Sequence, residues 1–129
     1  MKNSDTASTV STVEELKQAY AAGQRNFSGL SFTAADLSHL DLKGTDLSYT
    51  DFSDSDLSGT NLRGADLSYA VLRDVNLSAA DLRGATLIGT DLRGATLTQA
   101  DVTNADYDPQ QTRFPAGFNP NQLSMHSDQ

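Results

Sequence analysis

Residues 81 to 101 read DLRGATLIGTDLRGATLTQAD. Leu82, Leu87, Leu92 and Leu97 stand five residues apart, each with a small residue two places before it. A helix brings apolar residues to one face about every 3.6 positions and a strand every second position. Five residues of helix turn through about 500°, so these leucines would spiral around the cylinder. On one long strand they would alternate between its two sides. Neither element buries them together.

The spacing extends well beyond this stretch. From Arg25 to Pro109 the chain divides into seventeen consecutive five-residue units with no insertion. Their middle residues run Phe27, Phe32, Leu37, Leu42, Leu47, Phe52 and Leu57, then Leu every fifth residue to Leu97, and close with Val102 and Tyr107. Two places earlier the residue is mostly small, as in Ala35, Thr45, Thr50, Ser55, Thr60, Ala65, Ala70 and Ala80. One place earlier it is mostly Asp or Asn. Such self-similarity marks a repeat architecture.

Geometry follows if each unit is a short extended piece ending in a turn of about 90°, within which the middle residue and the one two before it share a side. That side is the interior. Four units close a square coil of twenty residues, and coils stack at the parallel-strand spacing of about 4.8 Å. Each middle residue then lies over another twenty positions away, and the small residues fit because a square coil has little room inside. At the turns, Gly29, Gly44, Gly59, Gly64, Gly84, Gly89 and Gly94 suit the positive φ of type II. Ala34, Tyr49, Asp54, Tyr69, Asp74 and Ala79 suit type I better, so a mixture is expected.

The A-[DN]-L-x-x pattern resembles the pentapeptide-repeat family, and covers about two thirds of the chain. The resemblance implies an all-β solenoid, a right-handed quadrilateral β-helix of about four coils with a short N-terminal α-helical cap. The flanks ELKQAYAAGQRNFSGL and YDPQQTRFPAGFNP resemble the caps of small cyanobacterial members. Leu30, Leu40 and Val75 depart from the small position and Val71 from the Asp position, which suggests local swelling or a surface spot.

The expected organisation is a disordered segment over 1–10, a capping helix over 11–24, the repeat over 25–109, and a capping segment and tail over 110–129. Ser11 and Thr12 each have a Glu three residues on, giving two overlapping capping-box registers. Val13, Leu16 and Tyr20 follow at helical spacing, and Gly23 is a stop. Phe114 and Phe118 are expected to fold under the last coil. MKNSDTAST and NQLSMHSDQ read as disordered ends.

With no Cys, the chain has neither a disulfide framework nor a thiolate site. Neither a signal peptide nor an apolar run of membrane-spanning length is visible, so a soluble cytoplasmic protein is expected. A net charge of −8 opposes direct nucleic-acid binding, which needs a basic footprint. His39 reads as a solvated turn residue and His126 as part of the tail. The recurring Ser residues have no base beside them. Each Asp stands alone on a flat face, unlike a calcium repeat. No catalytic site, cofactor or metal is expected.

Counting units in fours assigns faces. Lys43, Arg63 and Arg83 stack beside Asp41, Asn61, Asp81 and Asp101, a near-neutral face, and the preceding pair of faces is expected to hold little basic charge. The face through Leu47, Leu67, Leu87 and Tyr107 shows Asp46, Asp66, Asp106 and Asp108 without Lys or Arg, and stacks Tyr49 over Tyr69. Nothing in the fold as read requires so much uncompensated Asp. Asp46, Tyr49, Asp66, Tyr69 and Asp106 are therefore the candidate protein-binding face of a monomeric scaffold or regulator with an unknown protein partner. The resemblance offers an alternative, DNA mimicry, because some family members are acidic dimers that bind DNA gyrase and protect it from quinolones. Those are longer and dimerise through a C-terminal element, which is not evident here. Another relative regulates cell differentiation in filamentous cyanobacteria, which keeps a regulatory role open.

A period of twenty makes the register testable. One residue inserted after Gly84 should push Leu87 and its successors out of line, lowering β-sheet circular dichroism and melting cooperativity. A whole twenty-residue coil inserted there should leave both intact; equal losses would contradict the square coil.

Overall fold

The computed structural model describes residues 10–127. The expectation for MKNSDTAST falls on residues 1–9, outside the described part. Val10, placed by the sequence in the disordered segment, packs against the core.

Parallel bridges join residues twenty apart along the whole repeat, from Asn26 with Asp46 to Thr86 with Asp106. Each unit contributes a single bridge residue, so continuous strand is scarce. The only longer pairing among the described residues joins β1 (Asp106–Tyr107) to β2 (His126–Ser127), again in parallel and twenty residues apart.

Backbone donors of a unit are consumed by a fixed pattern. In the unit Thr45 to Tyr49, the Asp46 N–H donates back to the Arg25 carbonyl, while the Leu47 and Tyr49 N–H groups donate forward to the Asp66 and Ser68 carbonyls. Thr45 N–H closes the preceding corner on the Leu42 carbonyl. The fifth donor, Ser48 N–H, goes to Asp46 Oδ1 at 3.0 Å. All four backbone partners recur in the units Thr60–Gly64 and Ala65–Tyr69.

Every corner from residue 29 to residue 104 has positive φ at its third position, sixteen in succession, and nine of those residues are not glycine. The expected mixture of turn types is therefore wrong. Ala34, Tyr49, Asp54, Tyr69, Asp74 and Ala79 all take φ between 53° and 63°. The reason is the stack: the third-position N–H must point along the solenoid axis to reach the next coil, and one corner of another type would misdirect it. A left-handed L-residue costs about 1–2 kcal/mol, less than the bond and packing it would otherwise lose.

The middle column from Phe27 to Leu92 is buried, each residue at most 4% exposed. At about 1.5–3 kcal/mol per side chain, these residues are the main apolar driving force. Phe32 and Phe52 stack at 5.9 Å, one coil apart. The small column is buried beside them, and its hydroxyls are paired: Thr60 Oγ1 donates to the Leu37 carbonyl at 2.8 Å, Thr90 to Leu67 at 2.7 Å, and Ser55 to Phe32. Val75 joins this core, while Leu30 and Leu40 are half-buried against it.

The N-terminal end is covered by α1 (Val13–Ala21). Of the two capping-box registers, the helix uses Thr12 with Glu15. Gly23, at φ 99°, ends it: its N–H bonds the Tyr20 carbonyl and Gln24 N–H bonds that of Ala19, a Schellman closure. Leu16 is fully buried, with Val13 and Tyr20 packed around the same surface.

At the other end, Asp108–Gln111 inserts two residues into the period, so Asp91 bridges Arg113 instead of residue 111. Thr112 then occupies a small position, its hydroxyl donating to the Leu87 carbonyl at 2.6 Å. Phe114 packs edge-on to Tyr107 at 5.5 Å and stacks on Phe118 at 4.9 Å. The tail expected to be disordered is folded through Ser127: a 3-10 turn (Pro120–Gln122) leads into β2, and His126 N–H bonds the Ala105 carbonyl. Unpaired groups of the last coil supply the reason, since β2 satisfies part of that edge.

Uniform corners predict an unusual response. Ala79→Gly should stabilise the protein by about 0.5–1 kcal/mol, because relief of the left-handed strain exceeds the added unfolded-state entropy. A rise in thermal and urea midpoints checks this; a fall would mean that Ala79 is not strained.

Candidate protein-binding face

The Asp column has a structural job that the sequence reading missed. At Asp36, Asp41, Asp46, Asp51, Asp56 and Asp66, Oδ1 accepts the N–H two residues on at 2.9–3.1 Å. Asn26, Asn61 and Asn76 do the same. This local bond holds the corner and satisfies the one donor not taken by a neighbouring coil. At Ser38, Ser48, Ser53 and Ser58 the hydroxyl adds a second bond, at 2.6 Å. The expectation that the fold does not need so much Asp is thus corrected. An acidic column alone is no sign of a partner.

The basic residues are arranged along the axis. Arg83 makes a two-point contact with Asp81 (2.9 and 2.7 Å) and lies 3.7 Å from Asp101 in the next coil. Arg93 grips Asp91 in the same way, with Arg73 reaching that carboxylate at 4.0 Å. The preceding pair of faces therefore holds more basic charge than expected. The Arg83 and Arg93 guanidinium groups hold the Asp81 and Asp91 carboxyls below the usual carboxylate range. Hydroxyl bonds from Ser38 and Thr103 do the same at Asp36 and Asp101.

Of the five candidate residues, four come together. Asp46 and Asp66 are bridge partners in adjacent coils. Tyr49 and Tyr69, at the corners that follow, stack with ring centroids 5.3 Å apart and planes 15° from parallel. They are 65% and 45% exposed. Tyr69 Oη donates to Gln111 Oε1 at 3.1 Å, which braces it against the two-residue insertion. Asp106 does not join them. Thr86 separates it from Asp66 in the column, and His126 Nδ1 lies 2.7 Å from its Oδ1. The face is also not free of cations at its margin: Arg25 begins its first unit, just before Asn26, the residue that opens the column. Its guanidinium lies 3.7 Å from the Tyr20 ring centroid and donates to the carbonyls of Tyr20 and Gln24.

Gln111 was unreadable because the insertion breaks the period. His126 was readable in principle, since it stands twenty residues after Asp106. Among the described residues no three His, Asp or Glu side chains converge as metal ligands would, and no helix is long and apolar enough to cross a membrane.

A twenty-residue bridge period, four corners per turn and a two-column core define a repeat solenoid. The chain belongs to the pentapeptide-repeat family: the family model for pentapeptide repeats matches eight copies over residues 26–64 and 70–106. Members of this family form right-handed quadrilateral β-helices. The chain is similar to alr5209, a pentapeptide repeat protein from Nostoc PCC 7120, at 42% identity and a TM-score of 0.90, covering 94% of this chain and 99% of that one. It also matches HetL, a pentapeptide repeat protein involved in heterocyst differentiation regulation in Nostoc sp. PCC 7120, at 32% identity over 81% of this chain and 57% of that one, with a TM-score of 0.40. No curated protein matches the chain.

Asp91→Asn separates charge from corner holding, because Asn keeps the Oδ1 acceptor, as Asn61 and Asn76 show. The Asp91 carboxyl lies below its ordinary 3.8 in the folded protein. Its contribution is therefore full above the unfolded value and is lost as pH falls through the lower, folded one. At pH 7 the variant should be less stable by under about 1 kcal/mol, the range of exposed ion pairs. Once the pH is low enough to protonate the folded carboxyl, its melting temperature should match the wild type. A pH-independent difference would contradict an electrostatic role.

Proposed function

We propose that this protein is a non-enzymatic interaction scaffold or regulator whose face bearing Asp46, Tyr49, Asp66 and Tyr69 receives a basic protein partner. The observation that carries the reading is the exposure of two stacked tyrosines, 65% and 45%, on a protein that buries most of its large apolar groups. Tyrosine combines a large, rigid contact surface with a polar tip, and is enriched among residues that dominate interface energy. The stack holds its own geometry, so little side-chain entropy is lost on binding. Asp46 and Asp66, each committed through Oδ1 to its corner, contribute negative charge that steers a basic partner.

On this reading the solenoid is a monomer of about four coils, cytoplasmic, with no cofactor and no direct contact to nucleic acid. Asp106 is left out of the binding face because His126 engages it. The cap residues Leu16 and Phe114 occupy the two ends, which supports a closed monomer over end-to-end pairing.

Replacing both Tyr49 and Tyr69 with Ser, which removes both rings and leaves a small polar side chain, should preserve the circular dichroism spectrum and abolish capture of a partner from native lysate. Undiminished capture by the folded double variant would remove this face from the function. Light scattering at micromolar concentration should give the monomer mass, and gyrase supercoiling should be unaffected; a stable dimer that inhibits gyrase would favour DNA mimicry.

A further inference from the structure

The corner column that carries the tyrosines runs Gly29, Tyr49, Tyr69, Gly89, one residue per coil. Its side chains lean toward the C-terminal end. A β-carbon placed on Gly89 would lie 2.4 Å from the Tyr69 ring, so that ring covers Gly89. A β-carbon on Gly29 would meet no atom within 4 Å. Tyr49 accordingly has Tyr69 against one side of its ring and, toward Gly29, a corner that carries no side chain and around whose β-carbon position no described atom lies within 4 Å. The stack stops one place short, leaving an aromatic platform beside a glycine shelf.

We infer that this slot takes the side chain of an arginine from the partner. The inference rests on the reading of this face as a protein-binding surface and names the group it recognises. A flat guanidinium can lie on the open ring at the distance Tyr69 occupies on the other side, and it is weakly hydrated enough to leave water. The ring's negative face attracts a cation, and the Asp46 and Asp66 charges add to that attraction. A neutral aromatic group would gain only the first contact. The same molecule already contains the arrangement, since Arg25 stacks on Tyr20 at 3.7 Å. Arg25 does not fill the slot itself, because the Tyr20 ring and two carbonyls hold it at the helix cap.

The test is an NMR titration with acetyl-Gly-Arg-Gly-Arg-Gly-amide and its lysine and citrulline counterparts, at low salt and at 0.3 M added salt. The arginine peptide should bind about three- to tenfold more tightly than the lysine peptide, with the largest ring-proton shifts at Tyr49. Citrulline keeps the planar shape without the charge and should not bind measurably. Tyr49→Leu should weaken arginine-peptide binding by roughly three- to fivefold. Asp46→Asn, which keeps its corner as Asn26 does, should weaken binding and flatten its salt dependence. Equal binding of arginine and lysine, binding of citrulline, or shifts centred elsewhere would overturn the inference. Because capture of a partner through Tyr49 and Tyr69 is measured separately, that result can stand while the arginine assignment falls.

Discussion

Hydrogen bonds between residues about twenty apart are the constraint on which the rest of the molecule depends. Three of the five N–H groups in a typical unit are spent on a neighbouring coil, so each coil is a template for the next. Corners must be alike because a corner of different geometry would send its N–H away from the neighbouring carbonyl. Asp or Asn recurs because one donor per unit is left over and needs a local acceptor. Small residues recur because the square interior is already filled by the middle column. The five-residue unit meets all these demands together. Stability is then close to a sum over coils and their interfaces, and the ends matter disproportionately.

Much of this was legible in the sequence. The middle and small columns, the coil period, the capping helix and the role of Phe114 and Phe118 all follow from apolar spacing and turn residues. What could not be read has particular causes. Positive φ at Ala34 or Tyr49 runs against local preference and is imposed only by the stack. The two-residue insertion before Thr112 hid an additional unit, because period counting stops where the register shifts. The tail looked polar and featureless, yet His126 lies one period after Asp106 and extends the same ladder. Tertiary pairing, not composition, orders it.

The candidate face divides along the same line. Tyr49 over Tyr69 was readable because both sit at third corner positions twenty residues apart. The partners that shape the site came from the irregular ends: Gln111 on Tyr69, His126 on Asp106, Tyr20 on Arg25. The acidic column lost most of its functional meaning once carboxylates such as Asp46, Asp56 and Asp66 were seen to hold corners. What the fold does not use is the outer surface of the tyrosine stack, and that surplus is why function is assigned to it.

Native-state hydrogen exchange tests the central claim most directly. If coil-to-coil bonding sets the structure, protection should repeat every five residues. Asp46, Leu47 and Tyr49 should be slow and Ser48 faster, with the same order at Asp66, Leu67, Tyr69 and Ser68. Ser48 and Ser68 differ because their N–H groups bond only a side-chain oxygen within the same unit. Protection should fall toward Leu97 and Val102, whose coil is the last of the uninterrupted repeat. Slow exchange at the serines equal to their neighbours, or protection without a five-residue period, would contradict the account.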